Sequence, residues 1–186
     1  MIRSILERSA ALFRRNETSG LASAEIGAGL KVAGYPPRVR NAGRLIIGNN
    51  VKLASTISPI RLTTSATGKI VIGDDTYINT GASLYSGDLV EIGPSCLIGN
   101  ECVLMDSNFH QVSQGGQASI RPICLKENVW LALRVIVMPG VTIGAHSVVA
   151  AGSVVFEDIP PKQVWCGNPA RYLRDVRADD GFRRRG

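Results

Sequence analysis

The sequence predicts an all-β parallel β-helix, a solenoid wound from six-residue units. Three observations carry that expectation. Stepping by six from Ile72 meets Ile78 and Leu84, then, after a two-residue slip, Ile92, Ile98 and Leu104. A second run gives Leu125, Leu131, Val137, Ile143, Val149 and Val155. All twelve positions are Ile, Leu or Val, although those three types make up only about a quarter of the 186 residues. The residue after each is often small (Gly73, Gly93, Gly99, Ala132, Gly144, Ala150), and the fourth after it is compact (Thr76, Ala82, Cys96, Cys102, Val129, Val135, Val141, Ser147, Ser153). A helix needs apolar spacing of about 3.6 and a simple strand needs alternation. A period of six fits one short strand plus one turn, with three such units to a coil. Positions eighteen apart then stack, Leu125 on Ile143 and Leu131 on Val149, and each coil is stabilised by its neighbours.

Taken in order, residues 1–20 read as an amphipathic helical segment. Ile2, Ile5, Leu6, Leu12 and Phe13 fall near one face. Glu7 and Arg8 interrupt the apolar run, so neither a signal peptide nor a membrane span is expected. The segment is expected to pack on the body or on a neighbouring subunit, with peripheral membrane contact through its arginines as the alternative. Residues 21–159 form the solenoid. Its early coils are irregular: Ile26 and Val32 are six apart, as are Ile47 and Leu53, with a break at Pro36-Pro37, which cannot donate to a ladder. A loop at 110–123, in the stretch LMDSNFHQVSQGGQ and beyond, leaves the repeat between Leu104 and Leu125. The solenoid ends near Asp158. Residues 160–186 are a C-terminal extension, with a short helix beginning within 171–176 to cover the open end.

Composition narrows the function classes. Hydrophobic content is 45% and charged content 19%, which suits a globular chain rather than a disordered one. The net charge of +6 is partly terminal (Arg3, Arg14, Arg15; Arg183, Arg184, Arg185), where arginines are expected to be solvated tails. No aromatic-rich basic motif of the nucleic-acid modules is present, so the remaining charge suits an anionic small ligand or an acidic or nucleotide-linked acceptor. Cys96, Cys102, Cys124 and Cys166 form no CxxC pair and read as small buried residues of a reduced, cytoplasmic compartment. With two histidines in all, a zinc site is not expected.

The runs VWLALRVIVMPGVTIGAHSVVAAGSVVFEDIPP and WCGNPARYLR closely resemble the hexapeptide-repeat acyltransferases. These include the sugar O-acetyltransferases of bacterial polysaccharide synthesis and the galactoside and maltose acetyltransferases. The resemblance spans about residues 70–175 and rests on PGVTIG followed by AGSVV and GNPAR. It implies a left-handed β-helix, an exception to right-handed crossovers, assembled as a homotrimer with acetyl-CoA bound between neighbouring prisms.

The resemblance also implies roles. MDSNFHQV occupies the place of the family's catalytic histidine, which makes His110 the general base. The chemistry agrees: a sugar hydroxyl is a poor nucleophile, and a neutral imidazole can take its proton as it attacks the thioester, then return it to the departing thiolate. Asp106 and Asn108 either orient that imidazole or bind an acceptor hydroxyl, or else simply form the turn. The loop from Gln111 to Pro122 is expected to shape the site from a neighbouring subunit. Trp130 in NVWLA matches a tryptophan that flanks the CoA arm and acceptor pocket. Ala132, Ala151 and Gly152 match the small residues along the pantetheine, and Arg171 and Arg174 match basic residues near the adenosine end, where Arg pairs with phosphate. Asn79 maps to an acceptor-binding asparagine. The chain departs from the pattern at Leu133, which would narrow the cofactor groove or point elsewhere. It departs again at Phe156-Glu157, which replace a Thr-Lys pair and leave Lys162 as the compensating base. His146 is expected to be a surface turn residue, and the two histidines cannot build the three-histidine metal site of carbonic-anhydrase-like relatives.

The expected activity is acetyl-CoA-dependent O-acetylation of a sugar or glycan, without a metal. An N-acyltransferase acting on an amino sugar or nucleotide sugar shares the same features. A non-catalytic β-helix scaffold is the remaining alternative, because solenoids present broad binding surfaces.

Overall fold

The computed structural model describes residues 21–179 and 181–184. The N-terminal amphipathic segment lies outside them. The described chain is a parallel β-solenoid of about six coils with three faces. Beyond a single 3-10 turn at Leu21–Ser23, the described residues contain no helix.

The period of six becomes three parallel ladders. On the first face Ile47, Ile72, Ile92, Leu125 and Ile143 are successive register partners. On the second face the partners are Leu53, Ile78, Ile98, Leu131, Val149 and Trp165. On the third they are Val39, Leu62, Leu84, Leu104, Val137 and Val155. All twelve hexad positions are buried, and the stacks Leu125–Ile143 and Leu131–Val149 form as the spacing requires. Each such side chain removed from water is worth about 1.5–3 kcal/mol.

The small residues explain the corners. Gly73 and Gly99 pass so close to the next coil that an added Cβ would lie 2.6 Å from Pro94 N or from Ala132 C. The compact fourth residues fill the inside of each corner; Thr76, Ala82, Cys96, Cys102, Val129, Val135, Val141, Ser147 and Ser153 are all buried. At the corner between the first and second faces, Asp75, Ser95, Asn128, His146 and Lys162 repeat a left-handed conformation, φ 55–64°. That region is open to residues such as Asn, Asp and His at modest cost.

The ends depart from expectation. Pro36-Pro37 is a corner of the first coil, between the strands Lys31–Gly34 and Arg38–Asn41, with Pro37 buried. Ile26 and Val32 belong to that coil but are 42% and 44% exposed. At the other end, the expected helix within 171–176 is a strand. Gln163–Gly167 adds a parallel rung beside Val148–Val149, and Ala170–Asp175 folds back on it antiparallel. A hairpin thus covers the edge with ladder hydrogen bonds that a helix would not supply to an open sheet.

Candidate active site

Among the described residues, one long excursion leaves the solenoid, and it starts where Val103–Met105 ends. Asp106 is fully buried and both of its carboxylate oxygens are used. Oδ1 accepts the Gly87 N–H (2.7 Å), and Oδ2 accepts the Asp88 N–H (2.8 Å) and the Ser86 hydroxyl (3.1 Å). The Asp106 carbonyl accepts the Arg121 N–H at 2.8 Å. One step on, Ser107 bridges Ile120 in antiparallel sense. Asn108 Oδ1 accepts the Ser119 N–H at 2.7 Å, and the Asn108 N–H donates to the Ser119 carbonyl. The loop is therefore pinned at its neck, while residues 110–118 are exposed.

His110 stands just past that neck, its N–H donating to the Asn108 carbonyl at 2.7 Å. Phe109, before it, has φ 59°. A bulky residue in the left-handed region is strained and needs a surrounding structure to hold it. The hold is visible: the Ser107 hydroxyl accepts the Phe109 N–H at 3.0 Å, and the Phe109 ring lies 4.6 Å from that of Tyr85, tilted by 59°. The result is an exposed imidazole on an ordered pedestal. Both Asp106 oxygens are occupied by residues 86–88 of the preceding coil, so the carboxylate ties the loop to that coil. Asn108 spends its side-chain oxygen closing the loop.

The other residues singled out in the sequence lie elsewhere on the prism. His110 follows a strand of the third face. Asn79, Ala132, Ala151 and Gly152 lie on the corner between the second and third faces, where Asn79 Oδ1 accepts the Thr80 N–H at 2.8 Å. There Gly152 donates to the Leu133 carbonyl (2.8 Å), and a Cβ added to it would meet open space. Leu133 is 45% exposed and stands out from that corner. A single chain does not unite His110 with this set. Arg171 binds Glu157 at 2.6 Å, so the residue that replaced the expected lysine is its partner. Trp130 is 42% exposed and forms the wall of a groove of about 770 Å³ on the second face, with Val148, Val164, Arg174, Phe182 and Arg184.

His146 is buried rather than a surface residue, and the C-terminal arginines explain it. Arg184 N–H donates to Asn128 Oδ1 (3.0 Å), which sets the amide so that Asn128 Nδ2 donates to the Phe182 carbonyl and to His146 Nδ1, both at 2.8 Å. His146 Nδ1 is thus an acceptor, which leaves the proton on Nε2, 3.6 Å from Glu127 Oε1. The Arg184 guanidinium caps the Asn128 and His146 carbonyls, and Arg183 reaches Glu127 at 3.1 Å. Arg183 and Arg184 are therefore latched to a solenoid corner instead of trailing in solvent. Burial draws the Arg184 pKa below its usual value.

Cys96 and Cys102 are buried as the sequence suggested, while Cys124 and Cys166 are only half-buried. Burial pushes Cys96 up to about 12 and Cys102 up to about 11, with Cys102 Sγ donating to the Ala132 carbonyl. Among the described residues no cluster of His, Cys, Asp or Glu could hold a metal. Two site-forming features escaped the sequence reading. Tyr85 is register partner to Met105, four residues before Phe109, and only the twenty-residue offset between those coils would have flagged it. The tail latch carries no local signal at all.

No family model matches the chain. A galactoside O-acetyltransferase of Escherichia coli K12 is 36% identical over 114 residues, covering 60% of this chain and 56% of that protein. A putative colanic acid biosynthesis acetyltransferase of the same organism is 36% identical over 107 residues, 58% of this chain and 59% of that protein. The chain thus spans a little over half the length of these relatives. Among solved structures, a galactoside acetyltransferase in complex with coenzyme A aligns with TM-score 0.56 and 30% identity, covering 81% of this chain and 66% of that one. A hexapeptide-repeat acetyltransferase of Vibrio cholerae complexed with acetyl coenzyme A aligns with TM-score 0.55 and 26% identity, over 92% and 79%. By these relatives and by its fold, the chain is similar to the hexapeptide-repeat acyltransferases.

Proposed function

We propose that this protein is an acetyl-CoA-dependent O-acetyltransferase of a sugar or glycan hydroxyl, with His110 as general base. The observation that carries the reading is the pinned loop: among the described residues it is the long departure from the solenoid, and the strained turn at Phe109 presents an exposed imidazole there. A turn held by a buried carboxylate and a ring contact positions a base more narrowly than a free loop could. The relatives support the reaction class, since the galactoside O-acetyltransferase is 36% identical over 114 residues.

In this reading His110 takes the acceptor hydroxyl proton as the oxygen attacks the thioester carbonyl. The imidazolium then gives the proton to the departing sulfur, so the base is regenerated. Acetyl-CoA supplies the activated acyl group. The corner of Ala132, Ala151 and Gly152 suits its pantetheine arm on the side of Gly152, which leaves open space, while Leu133 stands out beside it and bounds the groove. Arg174, at the Trp130 groove, is the better placed arginine for a phosphate, since Arg171 is engaged by Glu157. His110 and the small-residue corner belong to different edges of one prism, which supports a homotrimer whose sites each draw on two chains; the left-handed sense of the coil rests on the resemblance alone. The reading also places the protein in the cytoplasm.

The test is release of free CoA from acetyl-CoA with a panel of sugar and glycan acceptors. His110→Ala is expected to lower turnover by about 10²–10⁴-fold. Because the imidazole is exposed, stability should stay within about 0.5 kcal/mol of the parent. Near-normal turnover in that variant would remove His110 from the chemistry.

A further inference from the structure

Charge along the solenoid is divided by coil. Residues 21–68, which form the first two coils, hold six basic residues and one acid, a net +5. Residues 69–186 hold eleven basic residues and twelve acids, a net −1. The six are set around the prism: Lys31 and Lys52 on the second face, Arg38, Arg40 and Arg61 on the third, Arg44 on the first. All six are exposed. Arg44 binds Glu25 at 2.7 Å and Lys52 lies over the Tyr77 ring, contacts that leave the net charge of the two coils unchanged. The coils are one rung, about 4.8 Å, apart. Both layers of charge thus fall within one Debye length, about 8 Å at physiological salt, of a plane laid across this end.

The same end shows apolar side chains that the prism hides elsewhere. Ile26 and Val32 are the register partners of Ile47 and Leu53, so they occupy the inward position of the first coil. Ile47 and Leu53 are buried, whereas Ile26 and Val32 are 42% and 44% exposed, because no coil of the described residues precedes them. Tyr35, at the next corner, is 54% exposed. Each strand of this coil is also the outer strand of its sheet. Charges on an edge strand discourage pairing with another chain. That need would be met on the first coil alone, yet Arg44, Lys52 and Arg61 repeat the charge on the second, and the exposed apolar side chains remain. A basic rim around an apolar end matches an anionic lipid surface: cations meet the headgroups, a tyrosine ring suits the interface, and aliphatic side chains enter below it. A nucleic acid would use the charge and leave the aliphatic side chains in water.

We propose that the first-coil end of the solenoid, with Ile26, Val32 and Tyr35 inside its basic rim, docks end-on to an anionic lipid bilayer. The prism axis then stands normal to the bilayer. The His110 loop leaves the third face three rungs along, roughly 14 Å from the first coil. That puts the proposed base at the height of a sugar carried on a lipid headgroup, a consequence that rests on the transferase reading; the docking itself does not.

The full-length protein is sedimented with vesicles of phosphatidylcholine, alone or with about 30% phosphatidylserine, in the absence of acetyl-CoA. The mixed vesicles are expected to bind it about tenfold more tightly, and less tightly as salt rises. Lys31→Ser with Arg40→Ser is expected to weaken that binding roughly 25-fold, about fivefold for each basic residue, and to flatten its salt dependence. Tyr35→Ser should weaken binding and leave the salt dependence as it was. Lys126→Ser with Arg134→Ser removes the same charge from a later coil and should leave binding unchanged. All five residues are exposed, and an unchanged melting temperature confirms the fold. Equal binding to the two vesicle types, equal loss in the two charge variants, or indifference to Tyr35→Ser each overturn the docking. Complete release from the mixed vesicles by polyuridylate, at a phosphate concentration equal to that of the anionic lipid, also overturns it and assigns the end to a nucleic acid. Because no acetyl-CoA is present, a failure here leaves the transferase reading standing, and loss of that reading leaves the docking.

Discussion

Asp106 and His110 are four residues apart and do different work. Asp106 holds the amides of Gly87 and Asp88 and the hydroxyl of Ser86, so it ties the His110 loop to the coil before it. Its replacement by Ala leaves buried donors without partners. The expected loss is roughly 3–5 kcal/mol in urea unfolding, together with lower turnover because the pedestal of His110 loosens. His110→Ala, by contrast, should cost turnover without stability, and comparing the two variants separates scaffold from chemistry. Cys96 gives a pH prediction. Its folded pKa, raised by burial to about 12, lies above the ordinary 9.0. Above pH 9 the unfolded chain releases this proton and the folded chain keeps it, so the unfolded state is favoured as pH rises. The contribution is whole below pH 9 and declines from there toward 12. Unfolding free energies measured between pH 8 and 10.5 should fall more steeply for the parent than for Cys96→Ser, and equal slopes would contradict the buried thiol.

At the scale of elements, the coils and the tail are held by different forces. The three ladders are apolar and repeated, so their stability is close to a sum over neighbouring coils. The tail is polar and singular. Phe182 and Arg184 satisfy Asn128 and His146, two polar side chains that the corner buries. Arg184→Ala is expected to lower stability by about 1–3 kcal/mol and to speed amide exchange at His146 and Trp130 without altering the ladders. A protection pattern unchanged at that corner would show that the latch contributes nothing. His146 illustrates why this was not legible in sequence. Its place in IGAHSVV marks a corner, and corner residues normally face water. It is buried by residues 36–38 positions later in the chain, and no local pattern encodes such a pairing. The C-terminal strand is a related case. ARYLRD reads as a helix start by composition, yet the free edge at Gln163–Gly167 offers it a ladder, and tertiary pairing outweighs weak propensity.

For the whole molecule, the proposed reaction makes assembly the condition for a complete site. His110 stands after the third face, and Ala132, Ala151 and Gly152 stand between the second and third, so the proposed reaction calls for two chains at each site. Sedimentation at assay concentration is expected to show a trimer, and mixing His110→Ala chains with chains altered at Gly152 should restore part of the lost activity. A fully active monomer would refute the shared site. The period of six, the buried identity of all twelve hexad positions, the inner corner residues and the departure of the chain at residues 105–123 were all legible from the one-dimensional pattern. Each is a local rule: a short strand, a corner that admits only compact side chains, and a stretch that breaks the count. Contacts between distant coils were not legible. The carboxylate of Asp106 closing on residues 86–88, the Tyr85–Phe109 pair and the latch over His146 all join residues separated by a variable number of positions. Slips and loops change the offset from coil to coil, so the neighbours of a side chain follow from the register of the folded ladders, and that register exists only once the coils have stacked.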